Sequence, residues 1–466
     1  MFYWAISCYD MCLKGDLNMI LSESMDVLVP KSYRRYGTYV NRFRAFALKE
    51  DGLKPVERRL LLTSHLIAKE KYVKSARVTG TCMAKFHPHS DAYGTLVQLA
   101  NQGFIDGQGN WGNSLGVDPT DAAASRYTEC RISKFVEDTA FQLIKYVDWV
   151  ESELDDEPES LPTMFPFCLM GNDYTQGIGF GYRTLIPCYS IQDLQKRLMW
   201  LLGDRKEEDK LIIKPKTNCK ILSDNTVMEE LLTTGKSKVD FAGIMTTNKV
   251  ACKAIVKSWP PGKRFEAIMN RIHIKSYFDS QDVGFIDSSS GENGTSVIFS
   301  VLRQRNKDKI FASFVKNLQE ALTGSVTFEN VTVDLDGNVK LTSVDEMLLT
   351  AYKRFLEFNK IMLQSKIDKN NESLMEYSYL KLIREPLADI LKEGNINIDF
   401  DTKLERISNK INLPIEIIRE LFSKYNIRKL LTFELDETEV QEKIIELAEK
   451  LNNIDSFVLT QYQEVV

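Results

Sequence analysis

Two stretches with heptad-like spacing constrain the fold of this chain most strongly. After Val344 the apolar pattern becomes helical over a long stretch, and Leu349, Leu356 and Leu363 lie seven residues apart. Near the C-terminus, apolar residues recur at steps of four and three, at Val440, Ile444, Leu447, Leu451 and Ile454. This spacing is typical of the seam between two helices in a coiled coil. We therefore predict a long antiparallel coiled coil with a helical globule at its tip (residues 396–431). A simple pair of core helices is the alternative.

The rest of the chain divides into a helical part and a mixed part. Helices are predicted over 32–48, 55–71, 76–85 and 93–102, with Pro55 suited to the first turn of the second of them. Helix, turn and helix beside a basic segment predict a winged-helix or helix-turn-helix DNA-binding domain. Between residues 189 and 341 helix signals, including one over 265–274, alternate with strand signals. The acidic segment, residues 151–159, has six acidic and no basic residues and is predicted to be a linker or surface loop, with a metal-binding role less favoured.

These patterns predict an α+β multidomain protein, and 466 residues suit about three domains at roughly 100–200 residues each. We expect an N-terminal arm (1–29), a winged-helix domain (30–150), an α+β tower domain (151–343), and a coiled coil with its globule (344–466). No apolar stretch is long enough to predict a membrane span, and the charged residues Asp10, Lys14 and Asp16 argue against a signal peptide. Eight scattered cysteines without a C-x-x-C pair favour a reducing, intracellular compartment.

Charge is distributed very unevenly along the chain. The formal net charge of −5 argues against a nucleic-acid partner, yet the window 31–85 contains fourteen basic and four acidic residues and carries +10. The remainder therefore carries −15. Such a window can bind a polyanion through phosphate contacts and counterion release, although a solvated basic face is the simpler interpretation. Aromatic residues interleave with the arginines here, namely Tyr33, Tyr36, Tyr39, Phe43 and Phe46, and they suit either a core face of a helix or a binding surface.

Two short groups of residues could bind a metal or act in catalysis. His87, His89 and Asp91 form an H-x-H-x-D string of potential Zn or Fe ligands, but the chain has only four histidines in all. Arg126 and Tyr127 follow a run of small residues, and a phenol with a cation beside it can serve as a nucleophile. The adjacent arginine can hold the attacked phosphate. A buried tyrosine next to a surface arginine is the simpler interpretation of this pair.

Five strings, in order, carry a resemblance to a known family. They are EDGLKPVERR (50–59), KSARVTG (74–80), KFHPHSD (85–91), DGQGNWG (106–112) and AAASRYTE (122–129). Together they resemble the DNA breakage-reunion subunit of type IIA topoisomerases, which includes the gyrase A subunit, its topoisomerase IV counterpart and the medium subunit of phage type II topoisomerases. Looser similarity continues at GIGFG (177–181) and TGKSKV (234–239) and extends the resemblance over residues 31–460.

The resemblance implies roles for individual residues. Tyr127 matches the tyrosine that attacks a DNA phosphodiester and forms a 5′-phosphotyrosine bond. Arg126 matches the arginine that stabilises the transition state, a role that fits fixed cationic stabilisation of phosphoryl charge. One of His87 and His89 is expected to position or activate the scissile phosphate. Ile178 falls where the family inserts an isoleucine between base steps to bend DNA. Residues expected to bind DNA are Arg44, Lys54, Arg58, Arg59, Lys74, Arg77 and Lys85.

Three departures from the family pattern leave the nucleophile and its arginine in place. Glu57 stands where bacterial gyrase has histidine, Ser90 replaces the usual glycine after the two histidines, and Ala47 and Leu48 replace a Leu-Pro pair.

The resemblance also implies an assembly. The chain is expected to be the cutting subunit of an ATP-dependent isomerase, a homodimer joined at a C-terminal gate. A partner subunit is expected to complete a heterotetramer and to bind ATP and Mg²⁺, with no metal site in this chain. The length leaves no room for a DNA-wrapping domain, which predicts relaxation and decatenation rather than negative supercoiling. We expect the protein in the cytoplasm of a bacterium or a phage-infected host. An architectural DNA-binding protein and a metallohydrolase using His87, His89 and Asp91 are the alternatives.

Overall fold

The computed structural model describes residues 24–464, apart from residues 90, 114, 153, 173, 207, 209, 292, 304 and 393–399. Most of the expected arm (1–29), Ser90 and the beginning of the expected globule (396–431) therefore lie outside the described residues. The described part combines many helices with several small sheets, so the predicted α+β class is confirmed.

The first described element is the arm helix, Met25–Val40, which begins at the N-cap Ser24 and continues into a π-helical turn, Asn41–Ala45. A π-helical turn changes the phase of the helix locally. Here it buries Asn41 and Ala45 while the residues between them, including Arg42 and Arg44, stay exposed. The chain then enters the core at Phe46.

Three helices and a small antiparallel sheet follow. The helices are Pro55–Ile67, Ser75–Lys85 and Tyr93–Asn101, and the strands, in sheet order, are Val73–Lys74, Glu129–Ile132 and Ile105–Gln108. Pro55 occupies the first turn as predicted, and the Glu57 carboxylate accepts a hydrogen bond from the Lys54 backbone N–H at 2.8 Å. Assignment of this unit to the winged-helix class stays a prediction.

Short elements connect this unit to the mixed part of the chain. They are the helical turns Lys134–Val136, Glu137–Phe141, Ile144–Tyr146 and Phe167–Leu169, and the paired strands Trp149–Val150 and Glu157–Pro158. The acidic segment thus contains one strand of a two-stranded sheet.

Two antiparallel sheets form the middle of the chain. The five-stranded sheet has the order Tyr174–Ile178, Arg183–Pro187, Thr323–Glu329, Lys236–Ala242 and Lys220–Ile221. The four-stranded sheet has the order Met245–Asn248, Lys253–Val256, Val297–Val301 and Val283–Asp287. A two-stranded sheet pairs Val331–Val333 with Val339–Leu341. The helices of this part are Ile191–Leu202, Asn225–Thr234, Phe265–Met269, Ile272–Asp279 and Lys307–Ala321.

The prediction of one helix over 265–274 is wrong. Two helices, Phe265–Met269 and Ile272–Asp279, meet at an extended Arg271. In a continuous helix, residues six apart point about 120° from each other. The break lets Ile268 and Ile274 enter the same core, where both are fully buried.

A helix of 49 residues, Val344–Lys392, dominates the C-terminal part. It packs against Glu437–Asn452 and Ile454–Glu464. The Tyr352 hydroxyl donates to Asp455 at 3.0 Å, while Lys381, farther along the long helix, pairs with Glu437, so the two directions are opposite. The described helices of the globule are Phe400–Ile411, Ile415–Lys424 and Ile427–Thr432. Supercoiling of the long helices stays a prediction.

The largest core spans several of the expected domains. It joins Leu96 of the N-terminal helices, Phe165 after the acidic segment, Leu348 of the long helix and Tyr462 near the C-terminus. The boundaries at 150 and 343 therefore stay predictions. Within the described part of the chain, no helix is both long and apolar enough to span a membrane.

Candidate active site

Tyr127 is presented on an exposed turn. The tyrosine turn, residues 122–128, precedes the strand Glu129–Ile132, and the Tyr127 side chain is 65% exposed. The Tyr127 backbone N–H donates to the carbonyl of Ala124 at 2.8 Å, which closes the turn. The guanidinium carbon of Arg126 lies 4.7 Å from the centre of the Tyr127 ring, within the range of a cation–π contact. The structure therefore brings the predicted nucleophile and its cation together. Both side chains are exposed, so a large substrate can reach them.

A buried hydroxyl network holds this turn. The Tyr93 hydroxyl donates to the carbonyl of Ala123 at 2.5 Å and lies 2.9 Å from the Thr128 hydroxyl. The Thr128 hydroxyl donates to that of Ser75 at 2.8 Å, and the Ser75 backbone N–H donates to the Thr128 carbonyl at 3.0 Å. Because Thr128 and Ser75 are fully buried, the turn is anchored directly behind Tyr127. Sequence reasoning missed Tyr93 and Thr128, although Thr128 stands inside the AAASRYTE string.

The predicted histidines and two predicted arginines form a second group, the histidine cluster (Arg44, Arg59, His87 and His89). Nη1 of Arg59 lies 3.3 Å from Nδ1 of His87, and Nη2 of Arg44 lies 3.2 Å from Nδ1 of His89. The two imidazole rings are perpendicular, with centroids 5.1 Å apart. Tyr39 supports this group, since its hydroxyl lies 3.2 Å from Nε2 of His89 and the Arg44 guanidinium lies over its ring.

The surroundings of His87 favour its neutral form. Burial, followed by the positive charge of Arg59 and the neighbouring His89 and Arg44, lowers the pKa of His87 from 6.5 to about 4, against the opposing effect of Glu157. A guanidinium can only donate, so Nδ1 of His87 accepts from Arg59. The ring proton of the neutral imidazole therefore resides on Nε2, which can act as a hydrogen-bond donor.

Arg59 has a further partner that the sequence did not indicate. Its Nε and Nη2 donate to the two carboxylate oxygens of Glu157, each at 2.7 Å. Glu157 belongs to the acidic segment, predicted to be a linker or surface loop. Its short strand pairs with Trp149–Val150 and places the carboxylate beside the histidine cluster. The excess of acid in the segment was a signal of a basic partner, but did not identify it.

Arg58, the neighbour of Arg59, has a different environment. It is buried, and its Nε and Nη2 donate to the Asp51 carboxylate at 2.6 and 3.1 Å. Asp51, fully buried, also accepts from the backbone N–H groups of Leu53 and Leu161. The structure thus places Arg58 in a structural ion pair, away from the surface expected of a DNA ligand.

The remaining predicted DNA ligands lie at or near the surface. Lys54 donates at 2.6 Å to the carbonyl of Gln176, which lies in the strand Tyr174–Ile178. Lys74 pairs with Glu129 at 2.8 Å and Lys85 with Asp155 at 3.7 Å, both in exposed positions. Arg77 is exposed on the same helix as Lys85.

Ile178 stands at the end of a hairpin, the strands Tyr174–Ile178 and Arg183–Pro187, and is 87% exposed. The hairpin is docked on the N-terminal elements. Asn41 accepts from the Phe180 backbone N–H at 2.7 Å and donates to its carbonyl at 3.0 Å. A Cβ atom at Gly177 would collide with the carbonyl oxygen of Ala45, so glycine permits this close approach. The apolar side chain of Ile178 therefore projects from a fixed base.

The tyrosine turn and the histidine cluster are anchored by different residues. The hydrogen bonds that hold the turn run to Tyr93 and Ser75. Those that hold the histidine cluster run to Tyr39 and Glu157. Each group therefore has its own support in the fold.

The string His87, His89 and Asp91 does not assemble as a metal site. Over the residues that the structure describes, no three His, Cys, Asp or Glu side chains are placed to hold a metal ion. Asp91 instead accepts from the Tyr93 backbone N–H at 3.0 Å at the beginning of the helix Tyr93–Asn101. The metallohydrolase alternative therefore lacks a ligand set in the described part of the chain.

Comparison with known proteins gives a family match over most of the chain. Residues 44–464 match the family model that describes the A subunit of DNA gyrase/topoisomerase IV. The DNA gyrase A subunit of Helicobacter pylori is 36% identical over 214 residues, which cover 43% of this chain and 25% of the relative. The DNA topoisomerase 4 A subunit of Salmonella typhimurium is 29% identical over 359 residues, 67% of this chain and 47% of the relative.

A third relative extends the similarity along the chain. The DNA gyrase A subunit of Campylobacter fetus is 28% identical over 379 residues, 76% of this chain and 39% of the relative. This chain therefore spans less than half the length of these relatives. The family model nevertheless covers both groups of the candidate site and continues to residue 464, close to the span 31–460 over which the sequence resembles this family. The chain belongs to the family of DNA gyrase and topoisomerase IV A subunits.

Proposed function

We propose that this chain is the DNA-cleaving and rejoining subunit of an ATP-dependent type IIA DNA topoisomerase. The observation that carries the proposal is the exposed Tyr127 with the Arg126 guanidinium over its ring, on a turn that the family model includes. An exposed phenol beside a permanent cation suits attack on a polyanionic substrate, because the cation stabilises the negative charge that develops on the phosphoryl oxygens in the transition state.

The proposed reaction is a reversible transesterification. The Tyr127 oxygen attacks a backbone phosphorus and loses its proton, a new phosphorus–oxygen bond forms, and the bond to the 3′-oxygen breaks. The 5′ end remains on Tyr127, and the 3′-oxygen takes up a proton as the released hydroxyl. Rejoining reverses each step, so the energy of the phosphodiester is conserved. Arg126 stabilises the charge on the phosphoryl oxygens in both directions.

The surface proposed to hold the DNA comprises the histidine cluster and the exposed cations nearby. Arg44 supplies positive charge, Arg59 orients His87 through its Nη1, and neutral His87 supplies a hydrogen-bond donor for a phosphate oxygen. Lys54, Lys74, Arg77 and Lys85 extend the basic surface. Ile178 is proposed to enter a base step and bend the duplex, since inserted apolar side chains unstack DNA and bring more of it against the protein. Arg58 is left out of this surface because Asp51 occupies its guanidinium.

The proposed assembly has two copies of this chain, joined through the helical globule beyond the long helix, so that two Tyr127 residues cleave opposite strands. A partner subunit is proposed to bind ATP and Mg²⁺. The Mg²⁺ ligands are proposed to lie on that partner subunit. In this scheme residues 30–150 cut DNA, 151–343 form the tower and 344–466 form the gate.

The proposal is tested by strand passage. The chain is mixed with an ATPase-bearing partner subunit of the same family, ATP and Mg²⁺, on supercoiled and on catenated circular DNA. We expect a change of linking number and decatenation, both lost in Tyr127→Phe, and the direction of the change separates relaxation from supercoiling. DNA bending by the native chain without strand passage or covalent adduct would overturn the proposal and favour an architectural role.

A further inference from the structure

The contact between Glu157 and Arg59 has the geometry of a bidentate, largely buried pair. Both carboxylate oxygens accept at 2.7 Å from two nitrogens of one guanidinium, and each side chain is only 14% exposed. Bidentate pairs of this kind fix orientation as well as charge. The two residues are 98 positions apart in the sequence, so the pair joins the helix Pro55–Ile67 to the acidic segment.

The third guanidinium nitrogen of Arg59 contacts His87, so the orientation of Arg59 also determines this contact. With Nε and Nη2 on Glu157, Nη1 lies 3.3 Å from Nδ1 of His87. That contact makes Nδ1 the acceptor and leaves the proton on Nε2. The contacts from Glu157 to Arg59 and from Arg59 to His87 therefore determine which nitrogen of His87 can donate.

The backbone around Glu157 holds the carboxylate in place on both sides. Glu157 pairs with Val150 in the two-stranded sheet. The Asp155 backbone N–H donates to the Lys85 carbonyl at 2.9 Å, and the Glu159 backbone N–H donates to the Asp148 carbonyl at 3.0 Å. A carboxylate fixed in this way holds Arg59 in place, and the three guanidinium nitrogens are then all engaged within the protein.

We propose that Glu157 is a positioning residue for DNA cleavage, holding Arg59 so that His87 is kept in the tautomer that donates from Nε2 toward the scissile phosphate. This inference rests on the proposed function. The groups that face His87 are Arg59, Arg44 and His89, with Glu157 as the opposing negative charge. Removal of that carboxylate leaves Arg59 without its bidentate partner and Nδ1 of His87 without a fixed hydrogen-bond donor.

The test compares Glu157→Gln with the matched control Glu159→Gln, a change in the same segment at a carboxylate that lies 3.7 Å from Arg354. The full-length chain is labelled with ¹⁵N-histidine, and its four histidines keep the spectrum simple. For the native chain and the control we expect His87 to show an unprotonated Nδ1 and a protonated Nε2. For Glu157→Gln we expect the averaged shifts of a mixture of tautomers.

Cleavage and DNA affinity are measured on the same variants in the complete assembly. We expect Glu157→Gln to slow single-turnover cleavage about 10- to 100-fold, as misplacement of a reacting group does, with unchanged affinity for DNA. Tighter DNA binding with undiminished cleavage would overturn the proposal and identify Glu157 as a competitor of phosphate. An unchanged His87 tautomer in Glu157→Gln would also overturn it. Absence of a covalent adduct in the native assembly would instead contradict the proposed function, and the tautomer measurement would still stand.

Discussion

The guanidinium carbon of Arg126 lies 4.7 Å from the centre of the Tyr127 ring, on a turn whose base is fixed by the buried hydroxyls of Thr128 and Ser75. The proposed nucleophile and the cation that stabilises its transition state therefore share one exposed face. Neither depends on the histidine cluster for its position within the chain.

We expect Arg126→Ala to lower the rate of DNA cleavage by about 10²-fold, the usual effect of removing one fixed stabiliser of transition-state charge. Arg126→Lys should recover only part of the rate, because an ammonium lacks the planar fork that holds a phosphate. Single-turnover cleavage with the enzyme in saturating excess over DNA measures the effect without a contribution from binding. Cleavage by Arg126→Ala at the native rate would contradict the assigned role.

Ile178→Ala should reduce DNA bending and leave the protein as stable as before. The side chain is 87% exposed, so its removal should change the free energy of unfolding by no more than about 0.5 kcal/mol. Ile272, 83% exposed in another part of the chain, offers the same substitution as a matched control. Fluorescence energy transfer between the ends of a short duplex reports the bend. Equal bending by Ile178→Ala and Ile272→Ala would remove Ile178 from the DNA surface.

Arg58→Ala should destabilise the fold far more than substitution of an exposed arginine. Removal of Arg58 leaves the buried Asp51 carboxylate without its cation, and breaking a buried pair costs about 3–5 kcal/mol. The exposed Arg77 provides the control, with an expected change of about 0.5 kcal/mol or less for Arg77→Ala. Urea unfolding measures both. Similar unfolding midpoints for the two variants would show that the Asp51 pair contributes little.

The depressed pKa of His87 predicts a loss of stability in acid. The pKa is about 4 in the folded protein and 6.5 ordinarily, so between these values the unfolded chain binds a proton that the folded chain does not. Stability therefore falls as the pH drops from about 6.5 to about 4. His87→Gln cannot titrate, so its stability should fall less over this range. The midpoints of urea unfolding at several pH values measure this dependence of stability on pH. The substitution His273→Gln, at an exposed histidine, is the control. If stability changed equally with pH in the native chain and in His87→Gln, the predicted contribution of His87 would be contradicted.

Local signals in the sequence predicted several elements correctly. Pro55 at the first turn fixed the beginning of the helix Pro55–Ile67, and the spacing of Val440, Ile444 and Leu447 predicted the helix Glu437–Asn452. The ordered strings predicted the family. The prediction of a single helix over 265–274 was wrong. A break at Arg271 allows both Ile268 and Ile274 to be buried in one core, which a continuous helix would not.

Side-chain partners distant in sequence could not be read from local pattern. Arg58 and Arg59 are adjacent and chemically identical, yet about 100° of helix rotation turns one toward Asp51 and the other toward His87. Glu157 was one of several acidic residues in a segment without basic residues, and only the pairing of its strand with Trp149–Val150 brings it to Arg59. The roles of Tyr93 and Thr128 likewise depend on the packing of the tyrosine turn against the helix Ser75–Lys85.

The most direct test of the proposed function is to identify the residue that becomes joined to DNA. The assembly is trapped with detergent during cleavage of end-labelled DNA, digested with protease and nuclease, and analysed by mass spectrometry. We predict a single modified peptide that carries a nucleotide through its 5′ phosphate on Tyr127, with free 3′ hydroxyls on the cleaved strands. A DNA adduct on any other residue, or 3′ ends linked to protein, would contradict the assignment of Tyr127.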